Sequence, residues 1–327
     1  MNALSPTDLA PFVRILGRGP GRSRNLTREE ATAAMQIILS GQASPEAIGA
    51  LLMLMRYRGE VPEEVAGFAT ALRATLSPLP AVDLDWPSYA AGRSRGLPWF
   101  LLSARLVALV GARVLLHGWN SHQSDGADIR AALPFAGIAQ ADGSTLAALL
   151  DRDGIAYLPL EAFSPEAMHL LRLRDVLGLR SCINTVLRVL NPALAPAAVQ
   201  GVFHPPYRQL QQAASALMGQ PRACIIKGGG GEFERNPAKD TLLFQLSGGH
   251  PEETTAPAIP GGLPGTATHP EALTALWAGS LTDPLATATV TGTAALALMT
   301  LGRAEDPDDA RALAQSLWAN RPLRHAA

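Results

Sequence analysis

Two short apolar runs, each stopped by glycine, constrain this chain more than any other feature. The first reads Ala112-Arg113-Val114-Leu115-Leu116 and ends in His117-Gly118. The second, Ala223-Cys224-Ile225-Ile226, ends in Lys227 and four glycines. Runs this short, rich in branched residues and bounded by glycine, read as buried strands. Helical periodicity surrounds them at 99–110, 144–150 and 205–218. Strands alternating with helices predict an α/β domain with parallel pairing. In such sheets ligands collect at the carboxyl ends of the strands. Both glycine stops sit there.

The first 75 or so residues follow a different rule and predict helices only. Asn25 or Thr27 can cap a helix with Glu29 and Glu30 in its first turn, where carboxylates meet the positive end of the dipole. Ser44 caps a second helix with Pro45 at its first position. A third starts at Val61-Pro62. A proline-containing connection, 77–87, leads out of this block. Helical character returns between 164 and 196, a second visit to the helical domain. The predicted division is a small helical domain, 1–76 plus about 165–196, beside an α/β domain of 77–164 plus 197–327. The tail, 283–320, ends in two helices. The Gly/Pro-rich stretch 248–264 reads as a mobile loop.

Composition narrows the functional classes. A chain of 327 residues, 47% hydrophobic, can bury the cores of two domains. Its formal net charge of −1 gives no overall pull on nucleic acid, so any basic surface is local. Between 166 and 230, seven Arg/Lys face two acidic residues. Arg172, Arg174 and Arg188 fall on the re-entrant helical segment, with Arg180. A shared basic face there needs a helix break, and Gly178 is the place for it. Cys182 and Cys224 read as core thiols. The stretch 101–116 carries Arg105 and Arg113 and is too short to span a membrane. With no leader pattern at 1–11, a soluble cytoplasmic protein is expected.

The run Lys227-Gly228-Gly229-Gly230-Gly231-Glu232-Phe233-Glu234 leaves two readings open. It is either a flexible hairpin connection or a loop whose backbone N–H groups, with Lys227, hold an anion. Phe233 either stacks on a base or fills space where a ligand would be.

Four stretches in chain order resemble glycosyltransferase family 3, whose best-known members are anthranilate phosphoribosyltransferases. They are "LTREEATAAMQIILSGQASPEAIGALLMLMRYRGEVPEEVAGFA" (26–69), "LGLRSCINTVLRVLNP" (177–192), "GVFHPPYRQL" (201–210) and "ACIIKGGGGEFE" (223–234). The resemblance implies the nucleoside phosphorylase/phosphoribosyltransferase fold, α/β with a smaller all-α domain. It implies an active site in the cleft between domains and a homodimer through the helical domain. It further implies transfer of phosphoribose from phosphoribosyl pyrophosphate (PRPP), with magnesium on the diphosphate. It places Arg180 at the arginine that contacts the aromatic amine, and His117, Gly118 and Asn120 at the family's "KHGN" motif.

The sequence departs from that pattern at the anion contacts. The family's "GTGGD" loop corresponds to "SYAAGRSRGLPW" (88–99), which offers Arg93 and Arg95 in place of a glycine nest. The motif lysine is Leu116. Aligned on the family's "GLDE", Phe233 stands where the magnesium-binding aspartate belongs and Glu234 remains. A phenyl ring supplies no hard oxygen. These departures resemble a divergent branch, the YbiB-like paralogues, associated with binding single-stranded or other nucleic acid without sequence preference. Two functions are therefore expected candidates. One is nucleic-acid binding through Arg172, Arg174, Arg188 and Lys227. The other is a surviving phosphoribosyltransferase using magnesium and PRPP, with Arg93, Arg95, His117, Gly118, Asn120, Arg180, Lys227, Gly228 and Gly229 as anion or substrate contacts and Glu234 as metal ligand.

Overall fold

Local sequence sets the helical layer. In the computed structural model, which describes residues 8–89, 96–119, 128–259 and 267–323, the chain opens with α1 (Ala10–Gly17), α2 (Arg28–Leu39), α3 (Pro45–Arg58) and α4 (Pro62–Arg73). Thr27 starts α2 with a capping box. Its hydroxyl accepts from Glu30 N at 3.2 Å, and the Glu30 carboxylate accepts from Thr27 N at 2.9 Å. The reciprocal bonds satisfy two donors that a helix start otherwise leaves open. Thr27→Ala is expected to lower stability by about 1 kcal/mol, read as a shifted urea midpoint with an unchanged slope. Ser44 caps α3 with Pro45 behind it, as expected.

The α/β layer follows: β1 (Leu84–Ser88), α5 (Phe100–Ala108), β2 (Val114–Gly118), α6 (Ile129–Ala136), α7 (Leu146–Asp153) and β3 (Ile155–Pro159). The chain then returns to the helical layer through α8 (Leu160–Phe163), α9 (Pro165–Leu177) and α10 (Ile183–Val189). Gly178, at φ 69°, ends α9, a left-handed position that glycine adopts without strain. Leu170, Leu171, Ile183, Val186 and Leu187 share one core with Leu51, Leu52, Val65 and Phe68. Next come β4 (Ala197–Val202), α11 (Tyr207–Leu217), β5 (Arg222–Lys227), β6 (Thr241–Ser247) and β7 (His250–Ala256). The chain closes with α12 (Glu271–Ala278), α13 (Pro284–Thr300) and α14 (Pro307–Ala319).

The seven strands lie in the order β3-β2-β1-β4-β5-β6-β7. β1 to β5 pair in parallel, while β6 and β7 form an antiparallel extension. The winding direction reverses between β1 and β4, the position where open α/β sheets form a ligand crevice. Two expectations are corrected here. The connection at 77–87 contains most of β1, which is a central strand. Its ladder to β4 stops at Asp85, so Pro87 falls past the last rung on that side. The stretch 248–264, expected as a mobile loop, contributes β7 to the sheet, and Gly248-Gly249 make the β6–β7 turn. Residues 260–266 lie outside the described residues. No helix among the described residues is long and apolar enough to cross a membrane.

Candidate ligand cleft

The glycine run folds onto the sheet and is not splayed for a ligand. Gly228 N donates to Val202 O at 3.1 Å, and Gly229 N donates to Glu234 O at 2.8 Å. Gly229–Gly231 make a single 3-10 turn. A Cβ on Gly228 or on Gly201 would collide with the Glu232 backbone. The glycines at these two places let residues 232–234 cross directly over the ends of β4 and β5. The N–H groups of Gly228 and Gly229, expected as anion contacts, are thus bonded within the chain.

The same crossing fixes Phe233 and Glu234. Phe233 is fully buried and meets Trp86 edge to face, with ring centroids 5.4 Å apart. That corrects its reading as a stacking platform: it belongs to the core. Glu234 is buried, and its Oε2 accepts from Phe100 N at 2.9 Å. The carboxylate therefore sits at the amino end of α5, where orphan N–H groups favour a negative charge. Among the described residues no group of three His, Cys, Asp or Glu is arranged to hold a metal ion. Magnesium favours several hard oxygens in octahedral array. A carboxylate engaged at a helix start beside a buried phenyl ring does not fit it.

His117 and Gly118 are corrected as well. His117 is fully buried. Its Nδ1 lies 2.9 Å from the Tyr89 hydroxyl, and its Nε2 lies 3.1 Å from Asp85 Oδ1. Gly118 abuts the Ser88 carbonyl so closely that no side chain fits. Both serve the β1–β2 contact and lie buried beneath the surface. Arg188, expected on an exposed basic face, is also buried, because α10 turns it inward to donate from Nη2 to Tyr89 O at 2.7 Å. Burial lowers the affinity of its guanidinium for the proton, and the Glu232 carboxylate counters this. Arg172 and Arg174 do lie on the surface of α9, each at the edge of ion-pair distance from Asp175. Arg93, Arg95 and Asn120 lie outside the described residues.

What remains is a cleft at the β1/β4 reversal, between the helical and α/β layers. Its end beside α10 and α11 spans about 520 Å³ counting the open space at its mouth, and Arg56, Glu60, Arg180, Arg188, Tyr207 and Gln211 are among its walls. Partial burial, with Arg174 and Arg56 nearby, holds Arg180 below its ordinary pKa. A repulsion of this kind marks a place where an anion is welcome. The other end is lined by Arg208, Lys227, Lys239, Asp240 and the glycine turn. Phe203 and His204 line both ends. Their rings stand edge to face at 4.9 Å, and Phe203 is 44% exposed.

The structure thus brings Arg180, Arg188 and Lys227 to one cleft and leaves His117 and Gly118 beneath it. Sequence reasoning missed Arg56, Phe203, Tyr207, Gln211 and Lys239. One signal was available: Pro205-Pro206 directly follows a strand, and a proline pair there ends the strand with Phe203 and His204 at its tip.

Comparison with known proteins agrees with this architecture. Residues 11–76 match the helical bundle domain of the glycosyl transferase family, and residues 100–320 match its a/b domain. An anthranilate phosphoribosyltransferase of Moorella thermoacetica is 30% identical over 311 residues, 90% of either chain. One from Erwinia tasmaniensis is 31% identical over 214 residues, and that match spans 64% of either chain. The crystal structure of the Thermus thermophilus enzyme superposes with a TM-score of 0.78 at 25% identity, covering 95% of this chain and 94% of that one. The Saccharomyces cerevisiae enzyme in complex with PRPP and Mg shares the fold, with a TM-score of 0.75 at 15% identity over 97% of this chain and 96% of that one. With both of its domains matched in order over most of its length, this chain belongs to the glycosyl transferase family of anthranilate phosphoribosyltransferase-like proteins.

Proposed function

We propose that this protein binds single-stranded nucleic acid along the cleft, in place of the PRPP–magnesium chemistry of its relatives. One observation carries the reading. The cleft presents Arg56, Arg180, Arg188, Arg208, Lys227 and Lys239 against Glu60 and Asp240, with an exposed phenyl ring midway. Cations that track a backbone and an aromatic face on which a base can stack are what single-strand binding needs. The buried Phe233 and the engagement of Glu234 at α5 argue against a diphosphate–metal site.

Binding of this kind releases counterions, so it weakens steeply with salt. Engaging four to six phosphates predicts a slope of about −3 to −4 in log K against log salt. Lys227→Ala is expected to weaken binding and make that slope shallower by about 0.7. Fluorescence anisotropy with a labelled DNA single strand, titrated from low to moderate salt, checks both. Absence of binding at low salt overturns the reading.

A second reading, a surviving glycosyl transfer, is favoured by the placement of Arg180 and Asn184 in the α10–α11 end of the same cleft. Protein, PRPP, magnesium and a panel of aromatic amines, followed by pyrophosphate release, test it. Turnover that disappears in Arg180→Ala would establish it.

A further inference from the structure

The α10–α11 end of the cleft deepens the nucleic-acid reading, on which this inference rests. Both ends carry charge: Arg56, Glu60, Arg180 and Arg188 line this one, and Arg208, Lys227, Lys239 and Asp240 line the other. At the α10–α11 end the rings of Phe203, His204 and Tyr207 stand with polar groups from α10 and α11 and form a slot. Most of those polar groups are already engaged. Glu60 Oε1 accepts from the Thr185 hydroxyl at 3.3 Å, and the Tyr207 hydroxyl accepts from Arg56 Nη1 at 3.1 Å. Gln211 is a buried one that is not. It is 1% exposed, it lines the slot, and its amide oxygen has no hydrogen-bond partner among the described residues. Buried amide oxygens are ordinarily paired, which leaves this one open to a donor brought by a group that fills the slot.

We propose that the slot takes one unstacked nucleobase of the bound strand, and that it favours bases bearing an exocyclic amine. The ring-lined walls suit a flat heterocycle. An amide presents an acceptor beside a donor, the pattern that glutamine uses on an adenine edge. The Glu60 carboxylate accepts hydrogen bonds and cannot donate them. Adenine, cytosine and guanine offer it an amino group, whereas thymine and uracil offer a carbonyl oxygen in the equivalent place. With the base so held, the flanking phosphates meet Arg56 and Arg180 at the mouth, and the next base reaches Phe203 on the way to Lys227.

The test compares oligo-dA, oligo-dC, oligo-dT and an abasic oligomer with the same number of phosphates, by anisotropy at fixed salt. The wild-type protein is expected to bind oligo-dA and oligo-dC roughly tenfold tighter than oligo-dT or the abasic strand, in the range of one good polar pair to a base edge. Gln211→Leu is expected to bring all four within about twofold while the salt slope stays the same. Gln211→Met, closer in shape, serves if the leucine variant fails to fold. Equal affinity of the wild type for all four strands overturns the slot and leaves the phosphate-binding reading standing. A preference that survives Gln211→Leu and Gln211→Met also overturns it, since the base would then be read elsewhere. So does displacement of oligo-dA by 2-aminobenzoate but not by dAMP, which makes the occupant an aromatic acid. Failure of every strand to bind removes both readings.

Discussion

Replacing Gly228 or Gly201 by alanine is expected to destabilise the protein by about 3 kcal/mol or more, at the upper end of what overpacking does. The new methyl group would meet backbone, the Glu232 carbonyl in both cases, and backbone cannot rotate out of the way as a side chain can. The crossing segment has nowhere to go. It is tied by Gly229 N to Glu234 O at 2.8 Å and by Glu234 N to Glu232 O at 2.8 Å. Phe233 anchors it under Trp86. Relief therefore requires peeling residues 232–234 off the sheet, which exposes the Phe233 ring and releases the start of α5 from Glu234. Gly229→Ala is the control. Its methyl group would meet chiefly the Glu234 carboxylate at 2.8 Å, a side-chain end that yields only by loosening its bond to Phe100 N, so about 1–2 kcal/mol is expected. Urea unfolding of the three variants measures the contrast. Gly228→Ala as mild as Gly229→Ala would show that the crossing segment is loosely held.

The helical layer was legible because its signals are local. Thr27, Ser44 and Gly178 announce helix ends through their own backbone chemistry, and each stands where its chemistry put it. The sheet was legible only in part. β2 and β5 are apolar runs with glycine stops, but β1 carries Asp85 and Pro87 inside a buried strand. Aspartate and proline read as connection until the neighbouring strands are known. β7 is polar along most of its length because it is an edge strand open to solvent, and a Pro-Glu-Glu stretch on such an edge also discourages pairing with another chain. The site was the least legible part. Arg172 and Arg188 are sixteen positions apart, yet one faces water and the other is buried in the cleft wall. That outcome depends on the turn between α9 and α10, not on residue type. The glycine run suggested an anion nest for a sound reason, but glycine is also what a chain needs where it crosses itself. Composition cannot separate a close approach to a ligand from a close approach to Glu232.

The second large effect is expected beneath the cleft. Asp85 and His117 are both fully buried, on neighbouring parallel strands. His117 Nε2 stands at 3.1 Å from Asp85 Oδ1, an ion-pair distance without the alignment of a hydrogen bond, and Asp85 Oδ2 has no hydrogen-bond partner among the described residues. A carboxylate in that position depends on His117 and, at longer range, on the Arg73 guanidinium. His117→Leu removes the nearer of the two and leaves the carboxyl group without a contacting partner in the core, at an expected loss of about 3 kcal/mol. Adding Asp85→Leu to that variant replaces a stranded polar group by an apolar one, and the double variant is expected to recover most of the loss. The residue of the penalty, about 1 kcal/mol, belongs to the Tyr89 hydroxyl deprived of its His117 partner. The double-mutant cycle should therefore show strong coupling, well beyond the additivity of independent sites. The effect also reaches the cleft, because Tyr89 supplies the carbonyl that holds the Arg188 guanidinium. His117→Leu is expected to weaken single-strand binding more than its own distance from the cleft surface suggests, and the double variant to restore it only in part. Strictly additive losses in the cycle would mean that Asp85 and His117 do not depend on each other, and that Arg188 is positioned by α10 alone.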